Sequence, residues 1–200
     1  MNAEYVSASK PKIAGAIFSA PLGTALPTSV DEALNAAFKN LGYVSDSGVV
    51  NSNSPSSDKA KAWGGDVVLN FSNERPDTFK LALIEMLNVE VLKVIYKDSN
   101  VTGNLETGIA IAVGNEEYEN RCWVIDMLLK GAAKRVVIPS GKITALEDIE
   151  YVDNKPVAYG ITIAAEPIST GKYHHEYIKK VTTTTTTTET NTSGNETTTS

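Results

Sequence analysis

Apolar side chains recur at every second position in three stretches of the chain, residues 67–71, 79–83 and 157–165. A period of two is typical of β-strands that turn one face toward a core. We predict that the first two stretches are strands joined as a hairpin, because residues 73–77 read NERPD, a turn-forming sequence.

Five further stretches show strand-like patterns. Pro11 and Pro21 bracket the first of them, as expected for a short edge strand. The predicted strands lie at residues 13–18, 109–113, 121–129, 136–138 and 148–152. The last of these leads through a turn at residues 153–156 into the strand at 157–165.

Two stretches change to helical spacing. Ser29 and Glu32 fit a capping box, and Gly42 fits the residue just past a helix end, so the spacing predicts a short helix over residues 30–41. In EMLNVEVLKVIYKD, Leu87, Val91, Val94 and Ile95 share one face, which predicts a helix of about three turns.

Many strands with little helix favour a mainly β fold. We predict an antiparallel β-sandwich or barrel with one flanking α-helix, plus the second short helix near residues 30–41. We expect an N-terminal arm at residues 1–20 and a β-domain at residues 21–181. The polar stretch at residues 42–63 is predicted to be a long excursion from that domain, and long structureless connections usually serve a function.

The C-terminal segment, residues 182–200, contains twelve threonines and no apolar residue. Such a segment cannot bury enough apolar surface to offset its conformational entropy. We therefore predict a disordered tail.

Composition and charge narrow the function. The chain has 200 residues, 42% of them hydrophobic, which suffices for one core, and its formal net charge is -6. Without a run of basic residues, tight binding to nucleic acid through phosphate contacts is not expected. No stretch is long and apolar enough to suggest a membrane span, and the first residues do not read as an export signal.

No stretch fits a catalytic or metal-binding motif. The single cysteine, Cys122, lies among apolar neighbours and is expected to be a buried small hydrophobe rather than a nucleophile. His174 and His175 are expected to be surface residues that point to opposite faces of a strand. We predict no cofactor, no metal site and no enzymatic activity.

Two other motifs have simple structural interpretations. Gly64 and Gly65 lack the remainder of a phosphate-binding loop and are expected at a bulge or a tight strand entry. Glu116, Glu117 and Glu119 form an acidic cluster that fits a solvated hairpin tip better than a cation site.

The order of several motifs resembles the major tail proteins, or tail tube proteins, of long-tailed, non-contractile bacteriophages. The stretches that carry the resemblance are PLGTALPTSVDEALNAAFKNLGYVSDSGVVNSNSP, KAWGGDVV and FKLALIEMLNVEVLKVIYKDSNVTG. They lie within residues 10–170. Ser47 stands before Gly48 where the family pattern has an acidic residue, which leaves the turn chemistry intact.

The resemblance implies two antiparallel sheets flanked by a helix, with six copies closing into rings that stack into a tube. It implies a virion location, assembly in the host cytoplasm, and passage of double-stranded DNA through the lumen. The implied partners are further copies of the chain, a tape-measure protein, a tail terminator and tail-tip or baseplate proteins. The arm and the excursion would reach neighbouring subunits, with contacts at Ile13, Ile17, Phe18, Tyr43, Val49, Val50 and Trp63.

Two alternatives stay open from the residues alone. A cell-surface or secreted β-domain would use the Thr-rich tail as a stalk. A small enzyme would use Cys122 or the acidic cluster, although no second catalytic group accompanies either of them.

Overall fold

The computed structural model describes residues 6–12, 15–55, 57–72 and 75–181. These described residues form thirteen strands and one α-helix, with a 3-10 turn at Asp98–Asn100. The strands are β1 Lys10–Pro11, β2 Ile17–Pro21, β3 Lys39–Asn40, β4 Val44–Ser52, β5 Ser57–Lys61, β6 Val67–Ser72, β7 Asp77–Leu83, β8 Val101–Asn104, β9 Gly108–Ile111, β10 Arg121–Leu129, β11 Ala132–Leu146, β12 Tyr159–Ala165 and β13 His175–Lys180. The helix, α1, spans Val89–Tyr96.

Nine strands form one antiparallel sheet in the order β3-β2-β10-β11-β12-β7-β4, with β1 also paired to β10 and β13 to β11. The long strand β11 belongs to both halves of this sheet. Its first half pairs with β10 and β13, and its second half, from Gly141, pairs with β12. The predicted antiparallel, mainly β fold is confirmed, and its sheets are consistent with a β-sandwich.

The main core lies where the two halves of the sheet face each other. Trp123 is fully buried there, and its indole N–H donates to the Gly141 carbonyl oxygen at 2.9 Å. A side chain at Gly141 would press on Trp123 and Ile163. This glycine therefore allows β11 to continue through the Pro139-Ser140-Gly141 stretch, where the sequence predicted that the strand would end.

A second, smaller core covers the other face of β2, β10 and β11. Cys122, Val124 and Val137 form its floor, and Phe38 and Leu34 pack on it from residues 22–38. The apolar spacing in this segment predicted a helix over residues 30–41, and that prediction is wrong. The residues do bury one face, but through bends and turns that end in the two-residue strand β3.

The buried guanidinium of Arg135 explains why no helix forms. Its Nη1 donates to the carbonyl oxygens of Ser29 at 2.9 Å and Glu32 at 2.7 Å. A helix would need both carbonyls for its own backbone bonds. The Glu32 N–H still donates to Ser29 Oγ at 3.2 Å, as in a capping box, so the local motif forms without the helix.

The second predicted helix exists but is shorter than expected. Asn88 caps α1 by accepting the Glu90 N–H at 3.0 Å, and Val91, Val94 and Ile95 are buried as predicted. Leu87 precedes the helix and is exposed. The helix therefore spans eight residues, about two turns, because its capping residue follows Leu87.

The predicted hairpin of residues 67–71 and 79–83 is wrong in its pairing. Both strands exist, as β6 and β7, but β6 pairs with β5, whereas β7 lies between β4 and β12. Residues 73 and 74 of the predicted turn lie outside the described residues. The periodicity located the strands but not their partners, which are β5 for β6, and β4 and β12 for β7.

Residues 42–63 are also more regular than predicted. They contain β4, which extends the main sheet, and β5, so the description of this stretch as structureless is wrong. Residues 148–152 were predicted as a strand and form none. The strand predicted over residues 13–18 corresponds to β2, which spans Ile17–Pro21, and residues 13 and 14 lie outside the described residues. The predicted disorder of residues 182–200 falls outside the described residues. In the described ranges, no helix is long and apolar enough to cross a membrane.

Candidate assembly surfaces

The β5–β6 hairpin stands apart from the main sheet. Within the described ranges, each of its strands pairs only with the other. Val67, Val68 and Leu69 are consecutive, so their side chains point to both faces of the hairpin, and all three are at least half exposed. An isolated two-stranded hairpin is marginally stable in water. An exposed hairpin with apolar residues on both faces is therefore suited to packing against a partner.

Trp63 lies at the tip of this hairpin and is fully exposed. The turn closes through two backbone hydrogen bonds: the Gly65 N–H donates to the Ala62 carbonyl at 2.9 Å, and the Ala62 N–H donates to the Asp66 carbonyl at 2.8 Å. Gly64 and Gly65 thus form a hairpin turn, close to the predicted tight strand entry. The turn holds a large aromatic side chain away from its own subunit.

Strand β4 forms one end of the nine-stranded sheet. It pairs with β7 on one side, and its other side has no strand partner in the described part of the chain. A bulge between Val44 and Val49, with Gly48 at a φ of 69°, interrupts the pairing. Val50 is 56% exposed on this edge. Unpaired edge strands can pair with another chain, so β4 is a second candidate for subunit contact.

A polar junction fixes the start of β4. The Tyr43 N–H donates to the Glu85 carboxylate at 2.9 Å, and Asn88 Nδ2 donates to the same carboxylate at 3.1 Å. Gly42 has a φ of 76°, and a Cβ there would overlap the Glu85 carboxylate. The junction therefore ties the LGYV stretch to the LIE stretch and to the cap of α1.

The N-terminal arm packs against β10. Lys10 and Pro11 pair with Leu128 and Met127, and the Lys130 N–H donates to Ser7 Oγ at 2.5 Å. A cavity of about 250 Å³ separates the arm from the bulge of β4. The described part of the arm is thus held by few contacts and lies beside the β4 edge.

The structure separates the seven predicted contact residues into three groups. Tyr43, Val50 and Trp63 are more than half exposed. Phe18 and Val49 are partly buried against the two cores. Ile17 is fully buried in the main core, so it presents no surface to a neighbour, and Ile13 lies outside the described residues.

The candidate chemical groups have structural partners. Cys122 is buried, as predicted, and its thiol donates to the Pro139 carbonyl at 3.2 Å. Burial raises the pKa of the Cys122 thiol. Glu117 is largely exposed, as predicted, and pairs with Lys142 at 3.3 Å. The acidic cluster lies in an irregular segment between β9 and β10, which do not pair with each other, so the predicted hairpin tip is wrong. Across the described ranges, no group of three or more His, Cys, Asp or Glu residues could hold a metal ion.

The prediction that His174 is a simple surface residue is wrong. Its Nδ1 pairs with the buried carboxylate of Asp77, and its ring meets Phe79 edge-on at 5.2 Å. Asn51 Nδ2 donates to the other oxygen of Asp77 at 2.8 Å. Asp77 therefore joins the end of β4 to the segment before β13, which a sequence separation of 97 residues concealed.

Two further groups have shifted pKa values, Tyr159 in the main core and the exposed Glu32. Burial raises the pKa of Tyr159, which meets the ring of Tyr96 edge-on at 6.0 Å. Glu32 is held in the ionised form by Thr28, whose backbone N–H donates at 2.7 Å and whose hydroxyl donates at 2.8 Å. These bonds lower the pKa of Glu32.

A comparison with protein-family models finds a match over residues 6–190 to a family described as phage tail tube protein. The chain belongs to that family. The match includes the exposed hairpin, the β4 edge and the arm from residue 6. A search of curated proteins finds no match.

The family assigns this tail tube protein a structural role in the phage virion. Members self-assemble into a tube together with other tail proteins, so the exposed edges and hairpin belong to a protein that functions as a polymer. The resemblance to phage tail tube proteins that was drawn from the sequence is confirmed. The family is one of structural proteins and is not known as an enzyme.

Sequence reasoning missed one exposed apolar surface of the tail tube protein. It lies between α1, the β8–β9 hairpin and residues 147–158. Its most exposed members are Leu87, Leu105, Val113 and Tyr151, each at least 59% exposed. These residues come from separate segments and share no periodicity, so only the fold shows that they are neighbours.

Proposed function

We propose that six copies of this protein close into a ring, and that the rings stack into a tube that conducts the phage genome into the host. The observation that carries this proposal is the family match over residues 6–190 together with the hairpin that presents Trp63. A ring and a stack both need contacts between different patches of identical subunits. The β4 edge and the hairpin are two such patches.

The charge of the chain supports a passive conduit. At a net charge of -6, copies assembled around a lumen would repel the DNA phosphates rather than bind them. Repulsion lets DNA slide through without sequence-dependent retention. The tape-measure protein would occupy the lumen during assembly, and a terminator and tail-tip or baseplate proteins would close the two ends.

A cell-surface or secreted β-domain remains the alternative function. The family match favours the tube. The two proposals differ in whether the purified chain self-assembles, because the function of a surface domain does not require polymerisation.

Sedimentation velocity and negative-stain electron microscopy across a concentration series test the proposal. Rings or hollow tubes are expected, with co-expressed tail-tip proteins as the initiator if the chain alone remains monomeric. Amide exchange in residues 57–72 should be fast in the monomer and strongly slowed in the tube. A monomer that persists with the tail-tip proteins present would refute the tube.

A further inference from the structure

The exposed apolar surface beside α1 forms a groove. Its floor contains Tyr96 and Tyr159, and its rim carries Leu87, Val113 and Tyr151. The cavity between them has a volume of about 300 Å³ and continues past Leu87 to Leu105. We call this surface the α1 groove. An apolar groove with several large exposed side chains is expected to be covered in the functional state of a protein.

We propose that the α1 groove receives the β5–β6 hairpin of a second copy of this chain, with Trp63 as the anchor. The inference rests on the proposed tube, and it identifies which surface of one subunit accepts the hairpin of the next. Trp is the residue most typical of binding hot spots, and such anchors sit in desolvated pockets on the partner.

The strand register places the root of the hairpin and the groove at opposite ends of β7. Strand β7 begins at Asp77, beside Ser52 at the end of β4. In sequence the hairpin lies between Ser52 and Asp77, so it leaves the sheet at this end of β7. The other end of β7, Leu83, pairs with Tyr159 at the floor of the groove. Seven residues of strand span roughly 23 Å. The hairpin emerges at one end of β7 and the groove lies at the other.

This placement makes the contact directional. The fully exposed Trp63 is not covered by its own subunit, so the groove of the same chain does not receive it. A contact between opposite ends of two identical subunits is heterologous, and repetition of it along one axis produces an open polymer. The strand direction of β7 would then lie close to the stacking direction.

The rim of the groove is acidic, and the hairpin offers two lysines to it. Lys59 and Lys61 lie exposed on the strand that leads to Trp63, and the hairpin also carries two exposed carboxylates, Asp58 and Asp66. Beside the groove, Glu106 follows Leu105, and Asp148 and Asp153 flank Tyr151 in an exposed segment. Residues 147–155 carry four carboxylates and one lysine, and two of the four form ion pairs within the subunit, Glu147 with Lys80 and Glu150 with Lys155. Attraction between these lysines and the acidic rim favours docking of the hairpin in the groove. Repulsion between two acidic rims opposes the pairing of two grooves.

Disulfide trapping tests the contact directly. The background variant is Cys122→Ala, to which Ala62→Cys beside Trp63 and Val113→Cys on the groove rim are added in one chain. After assembly and mild oxidation, a non-reducing gel should show a ladder of covalent multimers, because every subunit joins the next. Each single cysteine variant should remain monomeric on the same gel.

A matched control places the second cysteine at the wrong end. Thr170 is exposed beyond the Ala165 end of β12, the end of the sheet from which the hairpin emerges. The pair Ala62→Cys and Thr170→Cys should give no ladder. Tubes seen by microscopy without a ladder from the Ala62–Val113 pair would overturn the groove assignment and leave the tube intact. Absence of tubes from the unmodified chain with tail-tip proteins would refute the proposed function, and the groove assignment with it.

Point variants give an independent readout. Trp63→Ala should raise the concentration needed for tube formation at least about tenfold, the effect of losing one hot-spot side chain. Tyr151→Ala should shift it in the same direction, and Thr170→Ala should leave it unchanged. Circular dichroism of the monomer should be identical in all three, because each side chain is exposed. An unchanged concentration for both Trp63→Ala and Tyr151→Ala would contradict the proposal.

Discussion

Replacing Arg135 by Met should destabilise the subunit more than any change at a surface ion pair. Arg135 is 3% exposed and forms a bidentate pair with the buried Asp126, from Nε to Oδ1 at 2.7 Å and from Nη2 to Oδ2 at 2.8 Å. Its Nη1 also holds the carbonyls of Ser29 and Glu32. The variant would leave a buried carboxylate and two carbonyls without these donors.

The magnitude follows from the burial of the pair. Removing one partner of a buried ion pair costs about 3–5 kcal/mol, because the other charge remains desolvated. Lys12 approaches Asp126 at 3.7 Å, but its side chain is 45% exposed, so it compensates little. For a domain of this size the loss corresponds to a melting temperature about 6–20 °C lower.

Urea unfolding monitored by tryptophan fluorescence measures the loss. Trp123 is buried and reports unfolding, whereas Trp63 is already exposed and contributes a nearly constant background. The matched control is Lys80→Met, which breaks the exposed pair of Lys80 with Glu147 and should cost less than about 1 kcal/mol.

A double variant separates charge from packing. Asp126→Leu combined with Arg135→Met removes both charges, so most of the loss should be recovered, although the carbonyls of Ser29 and Glu32 still lack their donor. Two results would refute this reasoning. One is a loss below about 1 kcal/mol for the single variant, the magnitude of a surface pair. The other is a double variant no more stable than the single one.

Three further predictions concern individual side chains. Gly42→Ala should lower the free energy of unfolding by about 2–3 kcal/mol, because the backbone there is left-handed and the new Cβ would displace the Glu85 carboxylate. Gly171 has a similar φ and no close neighbour, so Gly171→Ala should lose only the backbone contribution. Equal losses for the two variants in urea unfolding would contradict the role of Glu85. Because the pKa of Glu32 is lowered in the folded state, its hydrogen bonds stabilise the fold above the unfolded-state pKa, and this stabilisation is lost as the pH falls through the folded-state pKa. Glu32→Gln should therefore make the free energy of unfolding fall less steeply as the pH is lowered. An unchanged acid dependence would argue against a role for Glu32. Because the pKa of Tyr159 is raised in the folded state, the stability of the fold should decline once the pH exceeds the unfolded-state pKa of about 10. Tyr159→Phe should weaken that decline in thermal melts at pH 9–11. An identical decline would exclude Tyr159 as its source.

The sequence predicted the strands of the main sheet better than their pairing. Alternation located β7 and β12, because each turns apolar residues at every second position into the core. β10 instead buries five consecutive residues, because both of its faces are covered. Alternation contains no information about partners, so β6 was assigned to β7 although it pairs with β5. The helix predicted over residues 30–41 failed for a related reason. A buried arginine more than 100 residues away takes the carbonyls that the helix needs.

The candidate surfaces were partly predictable. The family resemblance pointed to Trp63 as a contact, and the structure places it at an exposed turn. Ile17 was expected at a subunit contact but lies in the core. The sequence predicted an edge strand here, whereas β2 is an inner strand because β3 pairs with its outer side. The α1 groove could not be predicted, because Leu87, Leu105, Val113 and Tyr151 meet only through the fold.

The continuous course of β11 has a mechanical consequence for a tube. One strand of fifteen residues carries hydrogen bonds in both halves of the sheet, so a load on either half passes along covalent backbone into the other. The halves cannot slide past each other without breaking the pairing on both sides of Gly141. A tube built from such subunits bends by movement at its joints, while each subunit resists shear as one stiff element.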